Sequence, residues 1–206
     1  MNVTITPVLN DAYKSLTYVV SVAGSQDVLV IDPGEQVERL ATVLDTFGWQ
    51  PQFIVLTHEH LDHIMGTNAL KLKYRGASLV CSATCAGNIV DDRMNLSFFT
   101  ATPYESVPAD VAITDEEYLN WHLPVMCKPF GGHSRGGMLI AMDGRLFAGD
   151  QFIKGMPTLT ALPGGSKDDL AECLTWVQHR FPPETLILPG HGEPFTVADL
   201  THEVTC

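Results

Sequence analysis

Positive charge is scarce in this chain of 206 residues: 12 Lys and Arg stand against 24 Asp and Glu, a formal charge of −12 with histidine neutral. That balance repels phosphate backbones and anionic lipid, so neither nucleic acid nor a membrane is expected as a partner. It leaves room for a small anion held by a local cation. Long apolar runs are also missing. None approaches the roughly 18 residues of a membrane-spanning helix. The opening residues, Met1 to Val8, lack a basic segment followed by an apolar one, so no export signal is expected and the cytoplasm is the expected compartment. Cysteine is sparse, odd in number and irregularly spaced: Cys81, Cys85, Cys127, Cys173 and Cys206. That pattern argues for reduced thiols rather than a disulfide framework. Cys81 and Cys85 are spaced like half a metal site, but no second pair completes it.

What is present is an ordinary globular composition, 45% apolar and 17% charged. The length suits one domain over residues 1–206, large enough to fold without covalent staples. Strands are expected at Leu16–Ala23 and Asp27–Ile31, the second closed by the turn Asp32-Pro33-Gly34. Val37, Leu40, Val43, Leu44 and Phe47 recur at helical spacing, which predicts a helix over Glu35–Phe47 that Gly48 stops. Phe53–Leu56 reads as a buried strand, followed by a helix at Ala69–Tyr74, a strand at Ala77–Cys81 and a helix at Ala83–Asp91. Strands follow at Trp121–Pro129, Met138–Met142 and Arg145–Ala148, the last two joined by the hairpin turn Asp143-Gly144. Lys167–Arg180 reads as a helix with Leu170, Leu174 and Val177 inward, and Thr185–Leu188 as another buried strand. Alternation of this kind predicts an α/β (α+β) arrangement of mixed sheets with helices outside.

The stretch Met94–Cys127 has no Lys or Arg but five acids, Glu105, Asp110, Asp115, Glu116 and Glu117. It also holds Phe98, Phe99, Tyr104, Tyr118 and Trp121. It reads either as a lid or pocket wall, or as an irregular connection whose aromatics fill core.

The chemistry is concentrated in Thr57-His58-Glu59-His60-Leu61-Asp62-His63, directly after a buried strand. Ligand sites collect at that end of strands in α/β sheets. In an extended loop, residues two apart point the same way, so His58 and His60 can grip one cation. Asp62 and His63, where the chain turns into a helix, can serve a second. Imidazole and carboxylate together suit Zn²⁺, and also Fe or Mn. Composition alone produces such a run roughly once in a thousand chains of this make-up, so surface histidines in a polar loop account for it poorly. Three later residues share the setting. His133 in Gly131–Gly137, Asp150 after Ala148-Gly149 and His191 in Pro189–Gly192 each follow an apolar strand and have glycine neighbours. Five His and two Asp from separate loops suit two metals and a bridging carboxylate better than one metal.

On these residues the chain resembles the metallo-β-lactamase superfamily of metal-dependent hydrolases, and within it the small glyoxalase II-like proteins. The likeness runs through Ile31–Gly34, Thr57–His63, Asn95-Leu96-Ser97, His133, Gly149-Asp150, Leu162–Gly165 and Leu188–Gly192. It implies an αββα four-layer sandwich of two mixed β-sheets with metals at one edge. It implies His58, His60 and His133 on one metal, Asp62, His63 and His191 on the other, and Asp150 between them. Glu59 and Leu61 fill variable slots of the motif and are not expected to be ligands. Asp62 and Asp150 take the catalytic part by orienting a metal-activated hydroxide toward a carbonyl carbon. Two divalent ions are implied, Zn²⁺ first, with Fe or Mn as alternatives. A thiolate needs little protonation to leave, which favours a thioester, small or carrier-bound, over a lactam.

The chain departs from the family pattern in three places. Thr158-Leu159-Thr160-Ala161 stands where relatives carry Gly-Arg-x-Asp. Arg135 stands where Pro is usual. The sequence stops at Cys206, so the helical domain with which glyoxalase II grips glutathione is expected to be absent. Arg135 and Lys154 are candidate substrate anchors, with solvent-exposed charge as the other reading of each. His122, His179 and His202 belong to no motif, and Cys127 is expected to pack. Two other functions stay open: a mononuclear iron dioxygenase acting on persulfides, and a non-catalytic binding or regulatory protein that keeps a metal-occupied pocket.

Overall fold

A computed structural model describes residues 2–200; His202 and Cys206 lie outside the described residues. Two six-stranded sheets form. The first runs β1 (Val3–Leu9), β2 (Leu16–Val22), β3 (Asp27–Ile31), β4 (Gln50–Val55), β5 (Ser78–Ser82) and β6 (Val111–Ile113), in that order across the sheet. Its first three strands are antiparallel, and β3 to β6 are parallel. The second sheet is ordered β12 (Phe195–Thr196), β11 (Leu186–Pro189), β10 (Arg145–Gly149), β9 (Met138–Met142), β8 (Pro124–Pro129), β7 (Glu117–Asn120). Here only β10 and β11 are parallel.

The parallel strands need crossovers, and helices supply them. On the outer face of the first sheet lie α1 (Val37–Phe47), the short α2 (Leu61–Ile64), α3 (Thr67–Lys73) and α4 (Ala83–Asn88), while α5 (Lys167–Arg180) covers the second. Three apolar clusters result. Val20, Leu29, Ile31 and Val55 of the first sheet meet Val125, Ile140, Phe147 and Leu188 of the second between the sheets. Val30, Ile54 and Leu79 pack outward against Leu40, Leu44 and Leu70 of the helices. Leu139 and Leu146 pack outward against Leu170, Leu174 and Val177 of α5. Strands buried on both faces explain the near-continuous apolar runs Val28–Ile31 and Met138–Met142. The architecture is the expected αββα sandwich of two mixed sheets.

Several elements differ from the sequence expectation in extent. α1 begins at Val37, not Glu35, and its last apolar residue, Phe47, is exposed and stacked on Trp49 instead of facing the core. α4 ends at Asn88. The strand expected from Trp121 starts at Pro124, because residues 121–123 turn. Strand β1 has no counterpart in the sequence reading. Met94–Cys127 holds two edge strands, β6 and β7, and an irregular connection. Trp121 joins the core between the sheets and Tyr104 Oη donates to the Ile64 carbonyl at 2.9 Å. Phe98 and Phe99 remain exposed. No helix among the described residues is long and apolar enough to cross a membrane.

Chain direction places the functional loops. β3 and β4 run parallel in one sheet, β10 and β11 in the other, and β8 shares the direction of β10 through two antiparallel pairings. The segments that follow these strands therefore emerge along one edge. Backbone bonds tie the sheets together there: Met138 N donates to the Thr57 carbonyl at 2.7 Å and Leu16 N to the Gly190 carbonyl at 2.8 Å.

Candidate metal centre

Residues after β4 form a short extended loop. Its His60 caps α2 with extended backbone angles, and His58 and His60 leave the loop on the same side, ring centroids 4.6 Å apart. His133 comes from the loop after β8, and its Nε2 faces His60 Nδ1 at 2.9 Å. Asp62 and His63 lie in α2. Asp150 follows β10, and His191 follows β11. Ligand atoms of His58, His60 and His133 all lie within 4.8 Å of one another, and so do those of Asp62, His63 and His191. Asp150 stands between the two groups. Its Oδ1 is 3.4 Å from His63 Nε2, and its Oδ2 is 3.4 Å from His191 Nε2 and 3.7 Å from His133 Nε2. All seven side chains named from the sequence thus come together at the sheet edge.

Their outer nitrogens are held by the protein. His63 Nδ1 donates to Asp32 Oδ2 at 3.1 Å. Thr57 Oγ1 donates to the same oxygen, so His58 Nδ1, 3.1 Å from Thr57 Oγ1, donates to that hydroxyl. His133 Nδ1 donates to the Leu159 carbonyl at 2.8 Å. A neutral imidazole that donates from Nδ1 presents a lone pair at Nε2. His58, His63 and His133 therefore turn Nε2 toward the ligand groups, where each offers a lone pair when the ring is neutral.

Four polar atoms there, His58 Nε2, His60 Nε2, His63 Nε2 and Asp150 Oδ1, are buried and accept or donate no hydrogen bond among the described residues. Buried polar atoms are nearly always bonded, and leaving one unbonded costs about 1–3 kcal/mol. Three of them, His58 Nε2, His63 Nε2 and Asp150 Oδ1, lie among the close ligand groups. Unbonded atoms there fit a group that takes lone pairs, as a divalent cation does. His60 turns its Nδ1, facing His133 Nε2, to the same space. Asp32, His58 and His63 form a third close group. Asp32 already accepts from Thr57 N, Thr57 Oγ1 and His63, so its part is to orient the imidazole.

Charge sorts the two halves. Burial, then the imidazoles of His63, His60 and His133, hold His58 well below the ordinary histidine pKa. Burial, then His133 and His63, lower His60 to about 3. Both are neutral at pH 7, as a metal ligand must be. In the other half burial acts the opposite way from the net result. Asp62 and Asp150 outweigh it and raise His63 well above its usual range, and the same two carboxylates raise His191. Asp62 in turn is lowered, its burial outweighed by His63 and His191.

The remaining candidates lie apart from this cluster. Arg135 is exposed and forms no ion pair or hydrogen bond among the described residues. Its backbone N and Cβ pack on the Gly164 turn. Lys154 is exposed, and its charge is felt at Asp199. His122 bonds Ser25 Oγ at 2.9 Å, His179 bonds the Thr175 carbonyl, and Cys127 is buried between the sheets. Cys81, Cys85, Cys127 and Cys173 are free thiols, and each close group of possible metal donors among the described residues is built from His and Asp. Three supporting residues have no signal as strong as the histidine run: Asp32, the Leu159 carbonyl and Gln151, whose Oε1 accepts from His133 N at 3.0 Å. Asp32 carries one faint mark, an Asp-Pro-Gly turn at a strand end, where its φ of 51° is unusual for a residue with a side chain. Leu159 contributes a main-chain atom, which no side-chain pattern reveals.

The family model of the metallo-β-lactamase superfamily matches residues 11–191. Among curated proteins, a hydroxyacylglutathione hydrolase of Buchnera aphidicola is 29% identical over 157 residues, 69% of this chain and 58% of that protein. The probable metallo-hydrolase YqgX of Bacillus subtilis is 28% identical over 170 residues, 80% of this chain and 79% of that protein. The chain thus spans well under two thirds of the first of these relatives. Among solved structures, the BLEG-1 B3 metallo-β-lactamase superposes with a TM-score of 0.88 at 24% identity, covering 95% of each chain. TTHA1623 in a di-iron-bound form superposes at 0.78 with 25% identity, covering 94% of this chain and 95% of that one. With the αββα sandwich, the His and Asp groups at its edge and a family match over most of its length, the chain belongs to the metallo-β-lactamase superfamily.

Proposed function

We propose that this protein is a metal-dependent hydrolase of thioesters or related esters and lactones. His58, His60 and His133 hold one divalent cation, and Asp62, His63 and His191 hold a second. Asp150 lies between them. The observation that carries this reading is the close approach of buried His and Asp ligand atoms from four strand ends and a short helix, with His58 Nε2, His63 Nε2 and Asp150 Oδ1 left unbonded among them. Zn²⁺ is the proposed metal. Fe and Mn accept the same donors, and the TTHA1623 structure carries two irons. Divalent cations bound here lower the pKa of water from 15.7 toward about 7 and polarise a carbonyl oxygen.

The chain's own residues supply the rest. Neutral His58 and His60 leave their lone pairs free at any pH above the acid range. Asp62 and Asp150 bring carboxylate oxygens to the same spot and would orient a water by accepting hydrogen bonds from it. Each titratable side chain in the two ligand groups is a His or Asp, and the reading engages all of them as ligands, so no separate acid stands ready for a leaving group. A thiolate, with a parent pKa of about 8.5, needs none, whereas an amide nitrogen does. Relatives named hydroxyacylglutathione hydrolase support the same reading, an acyl group on the sulfur of glutathione being a thioester. Arg135, exposed and unpartnered two residues from His133, and Lys154 are the proposed anchors for an anionic end of a small or carrier-bound acyl substrate.

The test is turnover of metal-replete protein on matched acyl thioesters, lactones, lactams and phosphodiesters, with a chelator control. The expected result is fastest cleavage of a thioester, lost on chelation and regained with Zn²⁺. Turnover confined to phosphodiesters or lactams overturns the substrate class. No turnover together with tight binding of a small ligand favours the non-catalytic reading.

A further inference from the structure

Glu59 sits between two of the ligand histidines, yet its side chain leaves the opposite face of the loop and is fully buried. Its Oε1 accepts from Asn88 Nδ2 of α4 at 2.7 Å, and its Oε2 accepts from Ser134 Oγ at 3.0 Å. Both partners are neutral. Ser134 is the neighbour of His133 and is itself buried. One carboxylate therefore joins the loop of His58 and His60 to the loop of His133. Space for it comes from Gly136: a Cβ there would overlap Glu59 Oε2 and stand 2.8 Å from the Cys85 Cα. Ser82 Oγ, which caps α4, also donates to the Gly136 carbonyl at 2.8 Å, so α4 and the His133 loop close around the carboxylate from two sides.

A buried carboxylate bonded only to neutral groups is costly unless charge of the other sign lies close by. Glu59 adds a fourth carboxylate to Asp32, Asp62 and Asp150 at this edge, beside the histidines proposed to hold divalent cations. A methyl, amide or hydroxyl at position 59 would fill space or form bonds, but it would not add a carboxylate.

We propose that Glu59 is a positioning residue of the metal centre. Its carboxylate clamps the His133 loop to the His58–His60 loop, and its charge is balanced by the cations those histidines hold. This rests on the ligand set proposed above. Without the clamp, the spacing of His133 from His60 is no longer fixed from the loop side, and the first cation loses a rigid third ligand.

The test uses full-length protein with Glu59→Gln, Glu59→Ala, Ser134→Ala and, as a reference, His60→Ala. Zn²⁺ affinity is measured by competition with a chromophoric chelator, and site geometry by the visible spectrum of the Co²⁺-loaded protein. Groups that orient metal ligands are typically worth about 10- to 100-fold in metal affinity. Glu59→Ala is expected to weaken the first site by about that factor and to alter the Co²⁺ spectrum. Glu59→Gln can still accept from Asn88 and reach Ser134, so it is expected to rescue the spectrum while keeping weakened affinity. Ser134→Ala is expected to alter the spectrum with less change in affinity. Wild-type affinity and spectrum in Glu59→Ala overturn the proposal. If that variant does not fold, wild-type affinity in Glu59→Gln together with an unchanged spectrum in Ser134→Ala overturns it instead. Failure of the ligand set itself looks different, as His60→Ala would then keep its full metal content.

Discussion

His63 Nδ1 and Asp32 Oδ2, 31 positions apart in the chain, stand 3.1 Å from each other with both side chains buried. The bond turns the far nitrogen of the imidazole, Nε2, toward Asp62 and Asp150, 3.4 Å from an oxygen of each. Asp32 also accepts from Thr57 N at 2.7 Å, so one carboxylate at the end of β3 sets both the start of the histidine loop and the orientation of a ligand within it.

Asp32→Ala should therefore lose metal without touching it. Loss of the orienting bond predicts about 10- to 100-fold weaker binding at the Asp62–His63–His191 group. The Thr57 amide left without an acceptor predicts a further loss of about 1–3 kcal/mol in stability. Equilibrium dialysis against Zn²⁺ and urea unfolding measure the two effects separately.

Gly190 has no room for a side chain. A Cβ there would overlap Asp150 Oδ1 and lie 2.7 Å from His63 Cε1. Gly190→Ala is expected to push Asp150 out of the space between the two groups. Misplacement of a reacting group by about 1 Å is worth roughly 100-fold in rate. The expected result is a folded variant with lower metal content and at least that loss in kcat/KM, read by elemental analysis and steady-state kinetics.

Tyr18 Oη donates to the Pro189 carbonyl at 2.7 Å, under the turn that carries His191. Tyr18→Phe leaves that carbonyl without its buried donor. A loss of about 1–3 kcal/mol is expected in denaturant unfolding, with a larger fractional loss of affinity for the second cation than for the first.

The metal-free protein should weaken as pH falls from 6.5. His58 and His60 have lowered folded pKa values, His60 to about 3, so between 6.5 and those values the unfolded chain binds protons that the folded one does not. Each such group removes about 1.4 kcal/mol per pH unit at most. His63 and His191, whose pKa values are raised, are protonated in both states below 6.5 and add no slope there. Their stabilisation is complete below 6.5 and is lost as pH rises through their folded values. Urea unfolding of metal-free protein between pH 6.5 and 4.5 checks this. His60→Phe should flatten the profile.

Legibility of the fold in the sequence followed local signals. α5 has the expected limits because Ser166 caps it, accepting from Asp169 N, and because three apolar residues recur on one face. The β9–β10 hairpin was legible because Asp143 and Gly144 both need positive φ, 48° and 71°. β1 was not. It contains Pro7, which a strand tolerates only at an edge, and β1 is an edge strand paired with β2 alone. β6, β7 and β12 span four residues or fewer and exist through their neighbours rather than through any periodicity of their own. At the site, the side chains that offer lone pairs to the centre were legible because His and Asp are rare at such spacing. The residues that hold them were not. Asp32 and Gln151 come close only after folding, and Glu59 reads in sequence as filler although its side chain is wholly buried.

Metal stoichiometry tests the central claim most directly. Elemental analysis of the full chain, loaded with Zn²⁺ and freed of excess metal, should give two divalent ions per chain and one or none in His60→Ala, with thioester cleavage following the metal content. A single iron per chain together with oxygen consumption on a persulfide would contradict the account, as would an unchanged metal content in His60→Ala.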